Sequence, residues 1–126
     1  MSDAVLVFVV EDEPLIQDLL GCVLEDAGFQ VATAATGEEA VGKLEEQAPR
    51  FRSLLTDVNL RPGKLTGWDV ARRARELNPD LPVIYMTGDS AGEWRSRGVP
   101  NSVLITKPFA PAQVVAALSR LLNAGG

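Results

Sequence analysis

Short apolar runs alternate with longer segments of helical periodicity along the whole chain. The first run, Ala4 to Val10, is continuous and rich in β-branched residues, which is typical of a strand buried on both faces of a parallel sheet. After it, Pro14 suits the first turn of a helix, and apolar residues recur at helical spacing until Gly28, a residue that commonly ends helices. The pattern therefore predicts a first strand followed by a first helix.

The same alternation repeats four more times. Further strands are predicted at about 29–34, 51–56, 81–86 and 102–106, and further helices at about 36–47, 66–78, 91–97 and 114–122. Two of these helices open with a capping pattern, Thr36 with Glu39 and Thr66 with Asp69. Five strand-helix units in strict alternation predict an α/β fold, a parallel sheet with helices on both faces, and the spacing leaves the strand order open.

Length and composition narrow the class of protein. A chain of 126 residues predicts a single domain, residues 1–126, and its net charge of −5 argues against binding to nucleic acid or to an anionic membrane. No run approaches the roughly 20 apolar residues that span a bilayer, so we expect a cytoplasmic protein. The chain has no histidine, and its one cysteine, Cys22, is predicted to lie in the core on the apolar side of the first helix.

Reactive side chains follow four of the predicted strands. They are Glu11 and Asp12 after the first strand, Asp57 after the third, Thr87 after the fourth and Lys107 after the fifth. In open parallel sheets such groups meet beyond the carboxyl ends of the strands. Clustered carboxylates repel one another, and a hard divalent cation, Mg²⁺ or Mn²⁺, would relieve that repulsion. A carboxylate, a cation, a hydroxyl and an ammonium together suit aspartyl-phosphate chemistry.

Four segments around these residues resemble the signature segments of receiver domains of bacterial two-component response regulators. They are Val-Val-Glu-Asp-Glu-Pro (9–14), Leu-Thr-Asp-Val-Asn-Leu (55–60), Tyr-Met-Thr-Gly-Asp (85–89) and Ile-Thr-Lys-Pro-Phe (105–109). The resemblance covers nearly the whole chain. It implies a flavodoxin-like, CheY-like fold, a doubly wound sheet of five parallel strands in the order 2-1-3-4-5 with five helices.

The resemblance also implies metal and phosphoacceptor roles. Asp57 matches the phosphoacceptor and Asp12 a direct metal ligand. Glu11 matches a companion acting mostly through metal-bound water, and the backbone carbonyl of Asn59 matches a third protein ligand. The implied cofactor is Mg²⁺ or Mn²⁺.

The remaining implied roles concern phosphoryl contact and signal output. Lys107 matches the lysine that contacts the phosphoryl group, and Thr87 matches the hydroxyl that moves toward that group. The peptide bond between Lys107 and Pro108 matches the cis bond of the family. Leu104 stands where many receivers place a switching Tyr or Phe. Trp94 is expected either in the core or as an anchor on the output face, which is formed by the fourth helix, the fifth strand and the fifth helix.

Further residues depart from the family pattern or have other expected roles. The stretch between Asp57 and Gly67 is about two residues longer than usual. Trp68 is expected to be a partly buried packing residue. Asp89 would cap the next helix, and the resemblance adds an influence on the access of water to the acyl phosphate.

The leading hypothesis is a signalling switch that takes phosphate from a sensor histidine kinase or a histidine phosphotransfer protein and then controls a protein partner. Because nothing after Leu122 resembles an output domain, the output is expected to be a protein contact. A phosphate sink or relay, and the receiver of a hybrid kinase, are alternatives. A small aspartyl-phosphate hydrolase is disfavoured because Asn59 replaces the second carboxylate of such enzymes, so we expect catalysis only on the protein itself.

Overall fold

Five strands and their helices follow the predicted alternation through residues 5–124, the part of the chain that the computed structural model describes. The strands are β1 (Leu6–Val10), β2 (Gln30–Ala34), β3 (Ser53–Asp57), β4 (Val83–Thr87) and β5 (Val103–Thr106). The helices are α1 (Pro14–Asp26), α2 (Gly37–Gln47), α3 (Gly67–Leu77), α4 (Trp94–Arg97) and α5 (Pro111–Ala124). Ala4, predicted to begin the first strand, lies outside the described residues.

The strands form one parallel sheet in the order β2-β1-β3-β4-β5, which confirms the predicted fold. Val10 pairs with Thr56, Asp57 pairs with Met86, and Thr87 pairs with Thr106. This register places the carboxyl ends of β1, β3, β4 and β5 level with one another. The groups that follow them therefore share one edge of the sheet.

A separate hydrophobic core covers each face of the sheet. On the α2–α3 face, Phe8 stacks on Phe51 with ring centroids 4.5 Å apart, and Trp68 lies against Tyr85 at 4.6 Å. Trp68 is only 1% exposed, so it is a full member of this core and not the partly buried residue predicted. The other face buries side chains of α1 and α5, with Leu20 of α1 fully enclosed.

The prediction for Cys22 is wrong, because its side chain is exposed. The buried stripe of α1 is set by Leu20 and Leu24. A residue two positions from each points to a different side of a helix. The apolar character of Cys22 therefore gave a misleading indication of its position.

Side-chain caps begin two helices as predicted. Thr36 Oγ1 accepts a hydrogen bond from Glu39 N at 3.1 Å, and Thr66 with Asp69 forms a complete capping box at the start of α3. The predicted fourth helix is shorter, because Ala91–Glu93 forms a 3-10 turn before the single turn of α4. Within the described residues, none of the helices has the length and apolar character needed to cross a membrane.

Candidate functional site

Three carboxylates meet at the carboxyl edge of the sheet. Glu11 directly follows β1, Asp12 comes next, and Asp57 is the last residue of β3. One oxygen from each lies within 4.8 Å of the others. Glu11 is fully buried and Asp57 is 5% exposed, so little water screens these charges. Such a cluster needs positive charge or protons.

Lys107 supplies one positive charge to the cluster. Its Nζ donates to Asp57 Oδ2 at 2.8 Å and to Glu11 Oε1 at 3.4 Å. The Lys107 backbone N–H donates to Thr87 O at 2.8 Å, which fixes the residue beside the end of β4. The peptide bond between Lys107 and Pro108 is cis. The ammonium thus spans the ends of three strands.

Burial and charge together perturb the pKa of the groups in this cluster. Burial, followed by the charge of Asp57, raises the pKa of Glu11 to about 7, against the opposing effects of the Glu13 N–H and Lys107. Burial alone would lower the pKa of Lys107, but its hydrogen bond to Asp57 and the charges of Asp57 and Glu11 outweigh burial and raise it. With only Lys107 as counter-charge, Glu11 therefore holds its proton until the pH approaches 7.

Thr87 lies buried at the end of β4. Its Oγ1 accepts a hydrogen bond from Ser90 N at 2.9 Å, so the side chain anchors the start of the segment that leads to α4. A hydroxyl that accepts one bond can still donate another. Thr87 therefore fixes the backbone at Ser90, and its hydroxyl has a proton to donate to a further acceptor.

Asn59 has two contacts at the mouth of the site. Its backbone N–H donates to Asp57 Oδ1 at 3.3 Å, and its side-chain amide donates to Asp89 Oδ1 at 2.7 Å. The family resemblance implied a metal-ligand role for the carbonyl of Asn59, and sequence analysis gave no partner for its side-chain amide. The structure shows that Asn59 and Asp89 join the loop after β3 to the loop after β4.

Three contacts that sequence reasoning missed hold the loops of the site. The Gln17 side-chain amide donates to Glu11 O at 3.1 Å, and the Arg61 backbone N–H donates to Asp12 Oδ2 at 3.1 Å. Glu38 accepts from the backbone of Lys64 at 2.8 Å. Of these contacts, only that of Gln17 could have been suspected from the sequence, since Gln17 is a polar residue on the same face of α1 as the buried Leu20.

The two residues predicted to act in signal output are both half-buried. Trp94 Nε1 donates to Ser102 Oγ at 2.9 Å, and the ring packs against the core of the α2–α3 face. Leu104 packs against the same core and pairs with Tyr85 in the sheet. Trp94 therefore lies partly in the core and partly at the surface.

Comparisons with known proteins agree with this geometry. The family described as response regulator receiver domain matches residues 7–119. The probable transcriptional regulatory protein TcrX of Mycobacterium tuberculosis is 34% identical over 97% of this chain, and the phosphate regulon regulator PhoB of Escherichia coli is 32% identical over 93%. The match covers 51% of each relative, so the chain spans about half their length.

Solved structures show the same fold. A response regulator receiver protein from Sinorhizobium medicae superposes with a TM-score of 0.91 at 38% identity, and 97% of each chain is covered. The chemotaxis protein CheY4 of Vibrio cholerae superposes with a TM-score of 0.81 at 29% identity, covering 94% of this chain and 98% of that one.

Proposed function

Since the chain belongs to the response regulator receiver domain family, we propose that it is a switch in which Asp57 accepts a phosphoryl group. The observation that carries this proposal is the Lys107 ammonium, held 2.8 Å from Asp57 Oδ2 beside two further carboxylates. An acceptor carboxylate next to a fixed cation meets the needs of phosphoryl transfer, in which charge on the equatorial oxygens must be neutralised.

The donor set fits a divalent cation. Glu11, Asp12 and Asp57 offer oxygen ligands only, and two of the three are buried. Hard oxygen ligands suit Mg²⁺ or Mn²⁺. We assign these three residues, with the Asn59 backbone carbonyl, to hold the ion. When bound, it supplies charge neutralisation for the carboxylates and for the phosphoryl oxygens.

In this proposal, each residue of the site has a separate role in phosphoryl transfer. A carboxylate oxygen of Asp57 attacks phosphorus, a new O–P bond forms, and the bond from phosphorus to the leaving nitrogen of a donor phosphohistidine breaks. Lys107 moves its contact from Asp57 to a phosphoryl oxygen. Thr87 donates its hydroxyl to another phosphoryl oxygen and carries the change to Ser90.

An exposed apolar patch next to the site suits docking of the protein that donates phosphate. Leu15 is 83% exposed and Leu19 is 47% exposed on α1. Leu19 lines an apolar depression together with Pro108 and Phe109, which follow Lys107 directly. We assign this patch to a sensor histidine kinase or a phosphotransfer protein, and the surface of α4, β5 and α5 to a downstream protein.

We do not propose that the site turns over external substrates. The position two residues after Asp57 holds Asn59, whose amide is bound to Asp89. An amide cannot act as the proton-transferring carboxylate that a hydrolase of this chemistry needs. The protein would then catalyse only its own phosphorylation and dephosphorylation, as a switch or as a phosphate relay.

Labelling with acetyl phosphate and Mg²⁺ tests the assignment. Intact-mass spectrometry should show one added phosphoryl group on the wild-type protein and none on Asp57→Asn, because the amide is a far weaker nucleophile. Asp80→Asn, which changes an exposed aspartate outside the acidic cluster, is the control and should label normally. Undiminished labelling of Asp57→Asn would show that the acceptor is elsewhere.

A further inference from the structure

The loop between β3 and α3, residues 58–66, is fixed at its base. The Gly67 N–H donates to Val58 O at 2.8 Å, and Leu60 is buried beneath the loop. Residues 61–64 at its tip are exposed. The exposed tip has little apolar contact to hold it, so its conformation depends on hydrogen bonds from its backbone.

Glu38, in the first turn of α2, binds one side of this tip. Its Oε2 accepts hydrogen bonds from the backbone N–H groups of Lys64 at 2.8 Å and Leu65 at 3.3 Å. Gly63 has a φ of +134°, and a Cβ at that position would strike the Glu38 carboxylate. A Cβ on Gly37 would lie 2.7 Å from Leu65 Cβ. The chain therefore has glycine at both positions where the loop approaches α2.

The opposite side of the tip reaches the acidic cluster. The Arg61 backbone N–H donates to Asp12 Oδ2 at 3.1 Å. Only Pro62 and Gly63 separate Arg61 from Lys64, so the Glu38 contact and the Asp12 contact share a short stretch of backbone. Fixing one end of this stretch restricts the position of the other.

We propose that Glu38 is a positioning residue for divalent-cation binding, acting through the backbone of residues 61–65 on the carboxylate of Asp12. The inference rests on the proposed function, since it concerns the same cation site. Glu38 lies outside the acidic cluster and offers no ligand to it. Its contribution is to order the loop beforehand, so that orienting Asp12 costs less conformational entropy when the cation binds.

Calorimetric titration of the full chain with Mg²⁺ tests the proposal. Glu38→Ala removes both acceptor bonds and should weaken Mg²⁺ binding roughly tenfold, the lower end for partners of metal ligands. Glu38→Gln keeps an acceptor oxygen and should restore part of the affinity. The control is Glu46→Ala on the same helix, about 12 Å further along its axis at 1.5 Å per residue, which should bind like wild type.

Exchange of amide protons with water, measured by NMR without metal, tests whether Glu38 orders the backbone of residues 61–65. In Glu38→Ala the Arg61 amide should exchange faster, as should those of Lys64 and Leu65, while Glu46→Ala leaves all three unchanged. Wild-type affinity in Glu38→Ala, or tighter binding, would overturn the positioning role although Asp57 is still labelled. If the wild-type protein binds no Mg²⁺, the proposed function and this inference both fail.

Discussion

Glu11 is a fully buried carboxylate whose charged form is disfavoured by burial and by the neighbouring Asp57. Lys107 offsets only part of this cost, since a single ammonium faces two of the three acids. The metal-free protein is therefore expected to take up a proton at this residue on folding.

This proton uptake predicts a dependence of stability on pH. The pKa of Glu11 rises from 4.5 to about 7 on folding, so between these values the folded state binds more protons than the unfolded state. In EDTA the contribution of Glu11 to the free energy of unfolding should then be largest below about pH 4.5 and fall as the pH rises toward 7. The loss at this residue should be on the order of 1 to 3 kcal/mol.

Urea unfolding at several pH values measures the effect. Glu11→Gln has no carboxylate to titrate, so it should lose most of this slope and exceed the wild type in stability at pH 7. Glu25→Gln, which alters an exposed residue of α1, should keep the wild-type slope. A stability difference between wild type and Glu11→Gln that stays constant from pH 4.5 to 7, or that shifts in favour of the wild type, would contradict the sign.

Residue types at strand ends were sufficient to predict the members of the acidic cluster, because parallel strands bring their carboxyl ends to one edge. Contacts between a side chain and the backbone of a residue distant in sequence could not be predicted in this way. In the sequence, Glu38 is an ordinary acidic residue in the first turn of a helix. Its partners are the backbone N–H groups of Lys64 and Leu65, and every residue except proline has such a group. Their proximity is a product of the tertiary fold.

Among the glycines that the structure describes, Gly67 at the junction of β3 with α3 has the least room for a side chain. A Cβ on Gly67 would lie 2.8 Å from Val58 Cα and closer still to the Asp57 carbonyl oxygen, and both are backbone atoms. Gly67→Ala should therefore destabilise the protein by about 1 to 3 kcal/mol and displace the loop beside Asp57. Thermal or urea unfolding, combined with the rate of labelling by acetyl phosphate, measures both effects.

Gly42→Ala is the matched control for this glycine. Gly42 lies inside α2, and a Cβ there would meet nothing within 4 Å. Alanine in a helix interior is favoured over glycine by about 1 kcal/mol, so this variant should be more stable than the wild type and label normally. Equal stability of Gly67→Ala and wild type would show that the junction is looser than the structure indicates.

The segment from Thr87 to Val99 is the element best suited to change on phosphorylation. It contains a 3-10 turn and the single-turn α4, and Thr87 Oγ1 holds its start through Ser90 N. Leu104 has no ring to rotate, so the change should occur in this backbone. Apart from the loop of residues 58–66, beryllofluoride should then alter hydrogen exchange most at residues 87–99, and it should shift the fluorescence of Trp94.

Two threonine variants test the route of this response. Thr87→Ala should still be labelled but lose the change in exchange, because the hydroxyl between the phosphoryl group and Ser90 is missing. Thr106→Ala, at an exposed residue paired with Thr87 in the sheet, should respond like wild type. If the largest change occurs on another surface, the signal leaves by a different face.

The elements themselves were predictable, since buried parallel strands and amphipathic helices differ in hydrophobic period. The boundaries of the elements were harder to predict. For example, β3 begins at Ser53, although the apolar pattern begins at Phe51. Phe51 instead stacks on Phe8 just before the strand. Apolar residues show what is buried, and backbone pairing decides where a strand begins.

Over the whole molecule, the site draws its charged groups from the ends of β1, β3 and β5, so it exists only in the folded chain. A ligand that binds the folded state alone stabilises it by RT ln(1 + [L]/Kd). Mg²⁺ at ten times its Kd should raise the free energy of unfolding by about 1.4 kcal/mol, measured in urea. Asp12→Ala should lose this increment, and an equal increment in that variant would place the ion elsewhere.

The pairing of Lys107 with Asp57 joins residues that are 50 positions apart in the chain. A ribosome adding roughly 5–20 residues per second makes Asp57 several seconds before Lys107. During that interval the Asp57 carboxylate has no ammonium beside it, because β5 and the lysine that follows it have not been synthesised. Under the proposed function, a growing polypeptide would therefore not take up phosphate efficiently, and competence to receive a signal would begin only after β5 has joined the sheet.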